Sequence, residues 1–176
     1  VRPVKRVVLP ADLINAKNGQ LRPNLLRAIR PLGQLHHLAA DAYHAMRAAA
    51  LADGIRPFKP TSRADTYRTY QEQVALFTSR YTMTPLPGRP SKVWEGRRWW
   101  QKPNTAVAAV PGTSNHGLAI AVDIADASGD RLDWLEANAL TYGFSWEFTS
   151  GAEPWHLRYY RGDDIPPAVA EWKNAR

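Results

Sequence analysis

The chain contains no cysteine. That excludes disulfide staples, thiolate metal ligands and a cysteine nucleophile, and it leaves the redox compartment open. No apolar run comes near the roughly 20 residues of a membrane span. Internal repeats, low-complexity tracts and the Lys/Arg-rich runs of a nucleic-acid-binding tail are also missing. The 23 Lys and Arg outnumber the 16 Asp and Glu and leave a formal charge of +7. Scattered as it is, that surplus suits an ordinary solubilising surface or an anionic neighbourhood, and no nucleic-acid partner is read from it. The opening VRPVKRVVLP has neither an initiator Met nor a charged-then-apolar leader, so the chain reads as a mature or excised piece.

With 176 residues the chain can bury one proper core, and residues 1–176 are read as a single domain and a monomer. Residues 1–25 suggest an arm packed on that domain. The periodicity of PLGQLHHLAADAYHAMRAAALA predicts a helix from Pro31 to Ala52, ended by Gly54. A second helix is predicted over Tyr70–Ser79, followed by a loop-rich insertion at about 81–112 that holds Trp94, Trp99 and Trp100. Strict alternation from Leu118 to Ile124 predicts a strand. Leu118, Ile120, Val122 and Ile124 share its bulky face, and Ala119, Ala121 and Asp123 share the other. SGDRLDWLEANALTYG reads as a helix capped by Ser128 or Asp130 and closed by Gly143, PWHLRYY as a strand, and PPAVAEWKNA as a short terminal helix. Helices and strands mix without a βαβ beat, which predicts an α+β domain with a small antiparallel sheet and flanking helices.

Two segments carry metal-ligating side chains. The first has His116 and, seven residues on, Asp123; the second is EPWH, with Glu153 and His156. Two imidazoles and one carboxylate around Zn²⁺ leave a fourth position open, the pattern of a catalytic site. A second carboxylate is then free for another task. Glu153, with its backbone restricted by Pro154, is in reach of a water activated at the metal and reads as the general base. Each residue alone has a plainer reading. His36, His37 and His44 read as satisfied surface or core groups, Asp123 could end a strand, and Glu153 could be a loop charge; the case rests on co-occurrence.

SNHGLAIAVDI with EPWHLRYY, preceded by TYRTYQEQ, resembles the zinc D-alanyl-D-alanine carboxypeptidases of the VanY type. Relatives of that family include D,D-dipeptidases, phage endolysin L-alanyl-D-glutamate peptidases and the zinc domain of Hedgehog proteins. Its pattern is Ser-x-His, six residues, Asp, then much later Glu-x-x-His, met here by Ser114, His116, Asp123, Glu153 and His156. The resemblance implies a D,D-peptidase-like zinc fold, Zn²⁺ held by His116, Asp123 and His156, and a bacterial peptidoglycan stem peptide as substrate. It implies that Arg68 and Ser114 hold the substrate's carboxylate or backbone and that Gln73 helps a developing oxyanion. A guanidinium fork and an amide donor suit those roles. The family's usual glycine between His and Asp is Ala119 here, a change that narrows the site slightly. Trp155 reads as a wall of the site, Tyr159 and Tyr160 as packing, and Arg158 as facing the site on the strand's alternation. The tryptophans of 81–112 either cover the cleft or form a separate apolar cluster.

The preferred reading is a D-Ala-D-Ala carboxypeptidase acting outside the cytoplasm, with an endolysin-type endopeptidase as the alternative cut. The sequence has no Ser-x-x-Lys, as a serine D,D-peptidase requires, and no His-Glu-x-x-His. A non-catalytic zinc-stabilised binding module is the alternative of another class, and Glu153 argues against it, because a structural metal needs no base beside it.

Overall fold

A computed structural model describes residues 1–176. In chain order it contains β1 (Leu26–Ala28), β2 (Gln34–His36), α1 (His37–Ala52), α2 (Tyr70–Arg80), β3 (Tyr81–Thr82), β4 (Ser91–Trp94), β5 (Arg97–Gln101), β6 (Ala121–Asp123), α3 (Gly129–Asn138), β7 (Phe144–Trp146), β8 (His156–Tyr159) and α4 (Pro167–Asn174). The architecture is α+β with four helices and small antiparallel sheets: the β1–β2 hairpin, β3-β5-β4, and β6-β8-β7.

The core lies between α1 and the β6-β8-β7 sheet. Ala39, Ala40, Ala42, Ala45 and Ala50 let α1 approach its neighbours closely, while Tyr43 and Met46 fill the space beyond them; all are buried. Phe144, Trp146, Leu157, Tyr159, Ile120 and Val122 complete the same core from the sheet. α2 starts on a capping box, with Thr69 Oγ1 accepting from the Glu72 N–H and the Glu72 carboxylate accepting from the Thr69 N–H. Such caps contribute about 1 kcal/mol. The N-terminal arm runs along the domain, with parallel bridges from Val4 to Trp146 and from Val8 to Arg161.

Several elements differ from the sequence reading. α1 begins at His37, because Gly33 (φ +94) turns the chain and Gln34–His36 pairs with Leu26–Ala28 instead. The strand expected from Leu118 to Ile124 is only Ala121–Asp123; Asn115–Leu118 is a 3₁₀ turn and Ala119 adopts φ 56. Insertion 81–112 holds three strands. Its Trp94 and Trp99 pack edge-on to Phe77, both at 5.6 Å, in a separate small cluster. Phe144–Trp146 forms β7, a strand too short to announce itself by alternation.

Candidate active site

The β6-β8-β7 ladder assembles the centre. Asp123 ends β6 and lies directly opposite His156, the first residue of β8. On the other side of β8, Trp146 pairs with Leu157, so the next residue, Glu147, falls beside His156 from β7. His156 is thus flanked by carboxylates from both neighbours: its Nδ1 is 2.9 Å from Asp123 Oδ1 and its Nε2 is 3.5 Å from Glu147 Oε2.

His116 arrives from the 3₁₀ turn. Ser114 Oγ accepts the His116 N–H at 3.1 Å and caps that turn. Gly117 lets the arm sit against it, because a Cβ there would lie 1.8 Å from Asn18 Oδ1. The His116 Nδ1 is 2.9 Å from the Thr66 carbonyl oxygen, which can only accept. Nδ1 therefore carries the proton, and Nε2 presents a lone pair 3.4 Å from Asp123 Oδ1.

These ligand atoms of His116, Asp123 and His156 lie within 4.8 Å of one another, and all three residues are buried. Ligands about 2.0–2.2 Å from a tetrahedral ion stand roughly 3.3 Å apart, so the donor set suits one divalent cation of the zinc type. Electrostatics agrees. Burial alone would raise the Asp123 carboxyl, but its close contacts with the His116 and His156 imidazoles hold it well below the usual carboxylate range. Burial would lower His156, yet Asp123, Glu153 and Glu147 raise it.

The centre opens into a cavity of about 1050 Å³, whose lining includes Arg68, Ser114, Glu147, Glu153 and Trp155. Glu153 has φ 55, a left-handed backbone in place of the extended one expected before a proline. Its carbonyl accepts the His156 N–H at 3.1 Å, while its carboxylate has no hydrogen-bond partner. Arg68 is buried, with Nε on the Ala64 carbonyl, Nη1 on Gln73 Oε1 at 2.9 Å and Nη2 on Asp65 Oδ1 at 3.1 Å. Gln73 does not line the cavity: its Nε2 donates to the Ala109 carbonyl at 2.8 Å and its Oε1 holds Arg68.

Other expectations also shift. Ala119 packs in the core rather than on the cleft, so its consequence is a left-handed backbone, not a narrower site. Arg158 does not face the cavity; it donates to the Trp146 carbonyl at 3.2 Å and lies 3.8 Å from Glu147. His36 and His37 both reach Asp12, at 2.7 and 2.8 Å. His36 Nδ1 accepts the Leu38 N–H, so its Nε2 carries the proton toward Asp12; this grouping is a latch between arm and α1 and offers no imidazole lone pair at His36 to a metal. His44 Nε2 accepts the Arg30 N–H at 3.2 Å.

The sequence model of the family VanY, described as D-alanyl-D-alanine carboxypeptidase, matches residues 33–163. The chain belongs to the VanY family. A D-alanyl-D-alanine carboxypeptidase of Enterococcus faecalis is 34% identical over 126 residues, which is 63% of this chain and 42% of that relative. The chain thus spans less than half the length of that curated VanY-type relative. Among solved structures, the LdcB LD-carboxypeptidase superposes with a TM-score of 0.60 at 23% identity, covering 89% of this chain and 76% of that one. VanYB in complex with D-alanine-D-alanine gives 0.56 at 23% identity, covering 93% and 98%. A VanY variant solved with Zn(II) gives 0.54 at 22% identity, covering 92% and 93%. These likenesses place the VanY-family chain in the D,D-peptidase fold. Glu147 escaped the sequence reading, since the only available signal, its place just after FSW, acquires meaning only when β7 is paired with β8.

Proposed function

We propose that this chain is a zinc-dependent carboxypeptidase that removes the terminal D-alanine from peptidoglycan stem peptides ending in D-Ala-D-Ala, outside the cytoplasm. The observation that carries the reading is a buried His116–Asp123–His156 set opening onto a cleft beside the unpartnered carboxylate of Glu153. Family membership supports the reaction class, and the fold match to a VanY protein solved with Zn(II) supports the metal.

His116, Asp123 and His156 would hold the ion, and Zn²⁺, when bound, supplies Lewis acidity and makes water nucleophilic near neutral pH. Glu153 takes the proton from the attacking water and returns it to the leaving amine. Arg68 keeps one N–H free on each terminal nitrogen and, with the Ser114 hydroxyl, receives the substrate's terminal carboxylate. Gln73 fixes the Arg68 fork from behind, a positioning role in place of the oxyanion contact expected from the sequence. Trp155, exposed on the cleft rim, walls the site.

The test is mass spectrometry of free stem pentapeptide and purified muropeptides incubated with zinc-loaded protein, chelated protein and the Glu153→Ala variant. Loss of one alanine, only with metal and Glu153, is the expected result. An internal cut would reassign the enzyme as an endopeptidase, and zinc binding without any cleavage would make it a binding module.

A further inference from the structure

Beyond Arg68 and the metal centre the cavity continues along α2, whose Glu72, Ala75, Leu76 and Arg80 line one side. Eight residues of helix carry this wall about 12 Å from Glu72 to Arg80. Facing it is an irregular stretch, Thr105–Val110, whose Ala106, Val107, Ala108 and Ala109 also line the cavity.

The hydrogen bonding of that stretch is one-sided. The Thr105 carbonyl accepts from Gln101 Nε2 at 2.8 Å, Val107 from Arg80 Nη1 at 3.0 Å, Ala108 from Lys92 Nζ at 2.7 Å and Ala109 from Gln73 Nε2 at 2.8 Å. The Val110 carbonyl accepts from the N–H and hydroxyl of Thr113. By contrast, none of the five backbone N–H groups from Ala106 to Val110 has a partner, although Ala108 is buried. Buried backbone donors are nearly always paired. Here the buried Ala108 donor lies in a run of unpaired donors whose other members are exposed or half-buried, so an approaching main chain can reach them and supply carbonyls.

Charge points the same way. Arg80 and Lys92 both line this lobe, and neither is paired with a carboxylate; the only hydrogen bonds of their side chains are to the carbonyls just named. Among the acidic lining residues, Asp123, Glu147 and Glu153 belong to the metal end, while Glu72 on the α2 wall is already paired with Arg63 and Asp65 with Arg68. Gln73 joins the two parts, gripping Arg68 with its oxygen and the stretch with its nitrogen.

We propose that Thr105–Val110 is a main-chain docking strip for an extended peptide substrate, and that Arg80 and Lys92 receive a free carboxylate carried by that peptide. The strip adds strand-like pairing to the recognition made at the metal. This rests on the peptidase reading and names the part of the substrate that reading leaves unassigned.

The experiment uses zinc-loaded Glu153→Ala protein, so binding is read without turnover. Amide NMR spectra are recorded with a stem pentapeptide bearing a free D-glutamyl carboxylate, with its carboxamide analogue, and with D-Ala-D-Ala. The pentapeptide should shift the Ala106–Val110 amides and slow their hydrogen exchange, while the dipeptide leaves them in place. With Glu153 intact, the carboxamide should raise KM about tenfold, and in Arg80→Gln/Lys92→Gln protein the two pentapeptides should become equivalent; the tenfold ratio corresponds to about 1.4 kcal/mol. Unmoved amides would overturn the strip. Equal KM values for the two pentapeptides in the otherwise unaltered protein would overturn the carboxylate assignment. Shifted amides without cleavage by the Glu153-containing protein would instead overturn the peptidase reading and keep the strip.

Discussion

Asp123 and His156 stand directly opposite each other in an antiparallel ladder, with Asp123 Oδ1 2.9 Å from His156 Nδ1. Strand pairing therefore sets the spacing of these two groups, and rigid elements position ligands more closely than loops do. Asp123→Ala should abolish stoichiometric zinc at micromolar concentrations while the fold remains, as checked by elemental analysis beside circular dichroism. Zinc retained at one equivalent would remove Asp123 from the ligand set.

Glu153→Gln keeps the shape of the side chain and removes its basicity. Turnover should fall about 10²–10⁴-fold, the usual contribution of a general base, with zinc content unchanged. Near-normal kcat in a stopped assay of released D-alanine would end the assignment.

Glu147 lies 3.5 Å from the far nitrogen of His156, away from Asp123, so it would act on a bound metal through the imidazole. Removing such an outer carboxylate typically costs 10–100-fold in metal affinity. Glu147→Ala should show that loss in a chelator competition, and Glu147→Gln, which keeps an oxygen able to face Nε2, should recover most of it. Equal affinity in all three proteins would leave Glu147 as a rim charge.

Gly117→Ala should lower the unfolding midpoint and weaken zinc binding together. The added methyl would meet Asn18 Oδ1 at 1.8 Å and the Gly19 nitrogen at 2.9 Å, so the arm or the His116 turn must move. Overpacking of this kind costs roughly 1–3 kcal/mol. The double variant Asn18→Ala/Gly117→Ala should regain part of the stability in denaturant titration, and no recovery would mean that the backbone of Gly19 is the obstacle.

The arm's latch to α1 responds to acid. Burial lowers the pKa of His36 below 6.5, despite the opposing hydrogen bond to Asp12. The unfolded chain therefore binds that proton more readily, so the contribution of His36 is complete above pH 6.5 and shrinks as pH falls below it. Asp12 is held below its ordinary 3.8: burial opposes this, but bonds to His37 and His36 prevail, and its share is present above pH 3.8 and lost below. In urea titrations of metal-free protein between pH 8 and pH 5, stability of His36→Gln should fall less steeply than that of the unaltered chain. Parallel slopes would show that His36 does not titrate on unfolding.

α2 and α4 were readable because their local signals agree: the Thr69–Glu72 box opens α2 within one turn, and Pro167 stands at the first position of α4. The strand before Asp123 was overextended. Alternation of apolar residues continues through Leu118, but the Ala119 backbone turns left-handed after the 3₁₀ turn, a conformation that side-chain periodicity does not report. Trp94 and Trp99 could not be assigned to cleft or cluster from the sequence, since that choice depends on where Phe77 of α2 lies.

By itself, the sequence determined the chemical types at the centre: His116, Asp123, Glu153 and His156, in an order and spacing that name a family, and an α+β alternation of elements. Residue identity limits which atoms can ligate, accept or donate, and local periodicity limits which segments can pair. Only the tertiary structure decided that Glu147 stands behind His156, that Gln73 braces Arg68 instead of facing the cleft, and that the donors of Ala106–Val110 are left unpaired. Each of those follows from strand register or from contacts between residues far apart in sequence, and a register shift of one residue turns every side chain to the opposite face.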